Sequence, residues 1–141
     1  MVINESISIS QAPETIWHFW IDVANDGQWR DGIIEAEWTS PPPYEIGSTG
    51  KHTHKDVGSM DWEVTRFEDG SSFEFIHTAG ALKGSIAFFQ VEAETRGSRV
   101  NVQMRMSGPL IMRLMIVFMG RTMRKGVKGD LQKLKELMER Q

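Results

Sequence analysis

The residues able to do chemistry in this chain are scattered through strand-like segments and not gathered in one motif. His77 closes an alternating run with Phe73 and Phe75, with Ser72 and Glu74 on the other face. At the end of an apolar face an imidazole can hydrogen-bond a ligand or exchange a proton near neutral pH. The ordinary alternative is a strand-end histidine that meets solvent or a backbone carbonyl. His52 and His54 stand at i and i+2 on one strand face, a spacing that metal sites use. A third ligand would have to come from Asp56, Asp61 or His77, and no cysteine supplies one, so the expectation is no metal site. Glu5 shares a face with Ile3 and Ile7, and a carboxylate carried inward must be paired or protonated. Arg66 is one partner for it; otherwise Glu5 stays wet at the sheet's edge. If the protein is an enzyme, the catalytic candidates are His77, Glu5, Arg66 and His52. No Gly-x-Ser-x-Gly elbow or phosphate-binding glycine loop adds to them.

Patterning says which elements must position these groups. Val2 to Ser10 alternates, with Ile3, Ile7 and Ile9 on one side, as a half-buried strand does. Pro13 and Glu14 then suit the first turn of a helix, whose apolar face is Ile16, Phe19, Trp20 and Val23 and whose outward face carries His18. Asn25-Asp26-Gly27 breaks it, and a second short turn or helix carries Trp29. From Ile33 the period becomes two, giving strands at about Ile33–Thr39, Ile46–Lys55, Ser59–Phe67, Ser71–Ala79, Lys83–Thr95 and Ser98–Ser107. Short turn-rich separators make these an antiparallel meander.

The final segment, Pro109 to about Arg140, reads as a long amphipathic helix. Met112, Ile116, Met119, Met123, Val127, Leu131, Leu134 and Met138 form one stripe. Leu114, Met115 and Phe118 widen the apolar surface of its first turns. Thirty-odd helical residues would run roughly 45–50 Å, against roughly 37 Å for a compact domain of this size. A bend or break near Gly120, or a separate short element at Leu110–Met119 before the regular helix, is therefore expected, with the basic run Arg121 to Lys128 as a solvated or membrane-facing side.

Bulk properties exclude several function classes. The 141 residues fit one domain, and a formal charge of −3 gives no nucleic-acid footprint. The absence of cysteine rules out disulfides and fits a reducing compartment. Met1 leads into Val-Ile-Asn-Glu without a signal-like apolar core, and Leu110 to Met119 is too short to span a bilayer. A cytoplasmic protein without stable membrane insertion is the expectation. Nine methionines and five tryptophans are many for this length, and both suit an adaptable ligand cavity as well as a plain core.

The order strand, helix, short helix, six strands, long helix resembles the START-like or Bet v 1-like superfamily (SRPBCC), and within it the polyketide cyclase/dehydrase and lipid-transport type. The carriers are Ile7 through Trp17, Trp29, Glu45-Ile46-Gly47-Ser48, Trp62-Glu63-Val64 and Leu131 through Lys135. The resemblance implies an α+β helix-grip fold: a curved seven-stranded antiparallel sheet wrapped around the C-terminal helix, with two short helices after strand 1 and an apolar cavity between sheet and helix. It implies ligands such as lipids, quinones or polyketides, and, for some members, cyclase or dehydratase activity without a cofactor.

Alternation within the strands selects the expected lining: Trp62, Phe73, Phe75, His77, Phe88, Met104 and Met106, with Met119 and Met123 from the helix. In the Lys83–Thr95 segment both faces are apolar, and Ile86, Phe88 and Gln90 are taken as inward. Three functions remain open: binding of a hydrophobic small molecule, cofactor-independent cyclase or dehydratase chemistry, and a protein-interaction module, including a homodimer, built on residues 110–119.

Overall fold

The computed structural model describes residues 2–107 and 110–140, without the side chains at 110–113, 115 and 116. Strand β1 (Val2–Ile9) is followed by helix α1 (Pro13–Ile21), a 3-10 turn at Val23–Asn25 and the short helix α2 (Asp26–Trp29). Six strands follow: β2 (Ile33–Trp38), β3 (Thr49–His54), β4 (Gly58–Glu68), β5 (Ser72–Ala79), β6 (Ile86–Glu94) and β7 (Gly97–Arg105). Helix α3 (Leu110–Glu139) closes the chain. The strands form one antiparallel sheet in the order β1-β7-β6-β5-β4-β3-β2, so β1 returns to pair with β7 and the rest is a meander. This is the curled sheet and gripping helix expected from the element order.

Burial follows the alternation. Met60, Trp62 and Val64 on β4, Phe73, Phe75 and His77 on β5, and Val100 and Val102 on β7 all turn to the concave side. Strand β6 corrects one expectation. Ala87, Phe89 and Val91 are its buried set, whereas Phe88 and Gln90 turn outward. Cross-strand register decides it, because Phe89 lies opposite inward Phe73 and Ala87 opposite inward Phe75, while Phe88 lies opposite Glu74. With apolar residues on both faces, the strand's own period could not choose. Strand β3 also starts later than expected, at Thr49, because a turn in which Ser48 N–H donates to the Glu45 carbonyl occupies the preceding residues.

Two close approaches need glycine. Gly50 lies opposite Trp62, and a Cβ there would run into the indole. Gly32 has φ +86, in the left-handed region, and a Cβ would strike the His54 ring.

Helix α3 runs unbroken through Gly120, so the expected break is absent. Its second half supplies Val127, Leu131, Leu134 and Met138 to the core. Its first half leaves Leu114, Val117, Phe118 and Met119 exposed. The excess length thus leaves an uncovered end. Pro109 as the helix start, and the side chains of Met112, Met115 and Ile116, lie outside the described residues.

Candidate functional site

A cavity of about 260 Å³ opens between the concave face and α3. Its apolar wall combines Ile3, Ile33, Met60, Leu82, Met104, Met106, Met123 and Val127. Its polar wall combines Arg30, Asp31, His52, His54, His77, Ser85 and Asp130. Asp31 and Gly126 are the exposed residues of the lining and mark its open side.

Each polar group is held by a specific neighbour. The buried His52 lies with Nε2 2.8 Å from Asp26 Oδ2. A carboxylate can only accept there, so Nε2 carries the proton and His52 is held in that tautomer. Arg30 Nη1 donates to the same oxygen at 3.4 Å, and the guanidinium lies 5.7 Å from the Phe89 ring centroid. Burial pushes the His52 pKa down; its hydrogen bond to Asp26 opposes that shift, and nearby Arg30 reinforces it. His77 Nδ1 stands 3.2 Å from the Ser85 carbonyl oxygen. The carbonyl accepts, so Nδ1 is the protonated nitrogen and Nε2 keeps its lone pair. Burial lowers the His77 pKa to about 4, helped by Arg30 and His52 and opposed by the bond to Ser85. On α3, Asp130 accepts the Asp31 backbone N–H at 3.0 Å, and burial raises its pKa.

The sequence-derived candidates separate into groups. His77, Met104, Met106 and Met123 line the cavity, as does His52. Trp62, Phe73 and Phe75 lie outside the lining, packed in an aromatic cluster with Phe89. Phe88 is on the outer face under the Arg66 guanidinium, 5.0 Å from its centroid, which corrects its expected place in the lining. Arg66 faces outward with Glu74 at 3.6 Å and so is neither a cavity residue nor the partner of Glu5. Glu5 is half-buried on the Ile3 face and outside the lining. Met119 is exposed and outside the lining. Trp29 is buried with its ring 6.2 Å from Phe89, so it fixes α2 against the sheet. Among the described residues, no group of three His, Cys, Asp or Glu side chains could hold a metal ion.

Asp26, Arg30, Asp31, Ser85 and Asp130 are the polar residues that sequence reasoning missed. Asp26 reads as a turn residue, and nothing local ties it to His52 twenty-six positions on. Asp130 carries a usable signal. It follows Met123 and Gly126 by seven and four residues and so shares their helix face.

A family model for polyketide cyclase / dehydrase and lipid transport proteins matches residues 2–139. The chain belongs to that family. Solved structures of the same fold include the Aha1 dimer from Colwellia psychrerythraea, with 22% identity, a TM-score of 0.70 and coverage of 99% of this chain and 96% of that one. TTHA0849 from Thermus thermophilus shares 15% identity at a TM-score of 0.75, covering 96% and 95% of the two chains. The di-domain ARO/CYC protein StfQ of the steffimycin biosynthetic pathway shares 8% identity at a TM-score of 0.76, covering 99% of this chain and 51% of that one. No curated protein matches the chain in sequence. At these identities the structural neighbours establish the helix-grip fold, and the cavity's chemistry rests on the residues above.

Proposed function

We propose that the protein binds a compact hydrophobic molecule bearing a hydroxyl or similar hydrogen-bond donor, held between the sheet and α3. The split lining carries this reading: methionine and aliphatic side chains on one wall, and on the other the neutral His77, whose Nε2 keeps a lone pair. A family named for polyketide and lipid chemistry supports a hydrophobic ligand. The volume of about 260 Å³ falls below the ~300–1,000 Å³ of drug-sized sites. A fused ring system or a short acyl chain suits that space better than a two-chain lipid. Arg30 is answered by Asp26, and Asp31 and Asp130 add negative charge nearby. A ligand carboxylate would meet net repulsion there, whereas a donor would find acceptors.

Acid–base catalysis is the second reading, favoured by the two histidines that reach the cavity. Proton transfer works best with a pKa near the working pH. Burial instead holds His77 at about 4 and His52 below its ordinary range. At neutral pH both are uncharged hydrogen-bonding groups, which suits binding better than proton exchange.

Isothermal titration with 2-naphthol and 2-naphthoate, on the wild type and on Met104→Trp, tests the proposal. Saturable 2-naphthol binding is expected, about tenfold or more tighter than 2-naphthoate, and lost in the variant, where the larger indole fills the site. Absence of saturation by either probe, or undiminished binding to the variant, would overturn it.

A further inference from the structure

Charge is unevenly placed along this chain. From Thr95 to Gly129 there is no Asp or Glu, and that stretch holds half of the 16 Lys and Arg residues. All 19 acidic residues lie elsewhere, so a protein of net charge −3 contains a strongly basic segment. The first half of α3 belongs to that segment, and it is also where the fold leaves apolar side chains uncovered. Phe118 is 87% exposed and Val117 74%, with Leu114 beside them.

The two features share one side of the helix. Leu114, Val117, Phe118, Arg121, Lys125 and Lys128 fall within roughly 100° of the helix circumference, turned about 120° away from the buried stripe of Val127, Leu131, Leu134 and Met138. Along the axis they are sorted: apolar toward the start, then Arg121, Arg124, Lys125 and Lys128, all exposed. Phe118 and Lys125 are separated by about 10 Å along the helix. No described helix is long and apolar enough to cross a membrane.

We propose that the exposed face of α3 from Leu114 to Lys128 docks on the surface of an anionic lipid bilayer, with Val117 and Phe118 entering the headgroup boundary and Arg121, Arg124, Lys125 and Lys128 meeting lipid phosphates. Charge selects this occupant over a second copy of the chain. In a two-fold contact this face would meet its own copy, and it holds no acidic residue to answer Arg121, Arg124, Lys125 and Lys128, the nearest along the helix being Asp130. The inference does not rest on the cavity reading.

Co-sedimentation with vesicles of phosphatidylcholine alone, and of phosphatidylcholine mixed equally with phosphatidylglycerol, tests it at low and high salt. Binding is expected to the anionic vesicles only, and to fall steeply with salt. Phe118→Asp, and separately Arg124→Glu with Lys125→Glu, should each weaken it by about tenfold or more. These side chains are exposed, so thermal melts of the variants should match the wild type. The cavity-filling Met104→Trp variant should keep vesicle binding, which separates failure of this surface from failure of the cavity. Equal binding to both vesicles, no binding, or wild-type binding by both variants would overturn the proposal. So would a dimer dispersed by Phe118→Asp in light scattering without vesicle binding, which would assign the face to a second copy.

Discussion

The concave face of this sheet has a filled end and a hollow end, built by the same alternation of residues. At the filled end Phe73, Phe75 and Phe89 stack with centroids 5.3–6.2 Å apart, and Trp17 and Trp20 close over them edge-on. Leu131, Leu134 and Met138 of α3 complete that core. At the hollow end the strands offer Met60, Met104 and His77 and the helix offers Met123 and Gly126, leaving about 260 Å³ open. The seam is marked by His52 and His77, whose rings lie 5.9 and 5.5 Å from Phe75. Rigid rings and leucines fill space completely, whereas flexible thioethers and a missing side chain leave it adaptable.

The largest test of that contrast is a pair of truncations. Leu134→Ala removes side-chain atoms from a fully buried site and should cost about 3–5 kcal/mol in denaturant unfolding, since both transfer and cavity terms apply. Met104→Ala should cost only about 1 kcal/mol, because Met104 is half-buried and already borders open space. Equal losses would mean that the two ends are packed alike.

Acidification should separate the ends next. His77 has its pKa lowered from the ordinary 6.5 to about 4 by burial. The unfolded chain therefore binds the proton first as pH falls, and the folded state loses stability across pH 6.5 to 4. The loss from this group should be about 1–3 kcal/mol; His52 is shifted in the same direction. His77→Gln should flatten that part of the stability–pH profile relative to wild type. An unchanged slope in the variant would show that His77 is not the group responsible.

The contrast also explains how far the sequence can be read. Element order, the meander and the inward faces of β4, β5 and β7 follow from period-two patterning, because the apolar residues of each fall mainly on one side, with Phe67 on β4 and Ile76 on β5 as exceptions. Strand β6 defeats it: Phe88 and Phe89 are adjacent, and only pairing with β5 puts Phe89 inside. Alternation fixes which side a residue faces, not how deep it lies. By alternation alone Trp62, Phe73 and Phe75 belong beside a ligand together with Met104 and Met106, yet they pack in the filled end. The polar wall is harder still. The Asp26–His52 pair joins a helix to a strand across the fold, with Arg30 bonded to the same carboxylate, and no local spacing encodes it.

The smallest effect concerns the helix residue that keeps the hollow end open. Gly126 lies inside α3 at the cavity's rim, where a helix interior ordinarily disfavours glycine by about 0.8–1.0 kcal/mol relative to alanine. A Cβ at this position would meet nothing within 4 Å. Neither a left-handed backbone nor a close neighbour requires glycine here. Gly126→Ala should therefore stabilise the protein by about 0.5–1 kcal/mol, read as a raised midpoint in chemical unfolding with an unchanged slope. The added methyl is too small to close the cavity, so 2-naphthol affinity should stay near the wild-type value. A larger side chain, as in Gly126→Phe, should reduce that affinity by crowding the open side. A loss of stability on Gly126→Ala would show that the helix is pressed against something at its rim, and the open end would then have to be redrawn as a packed one.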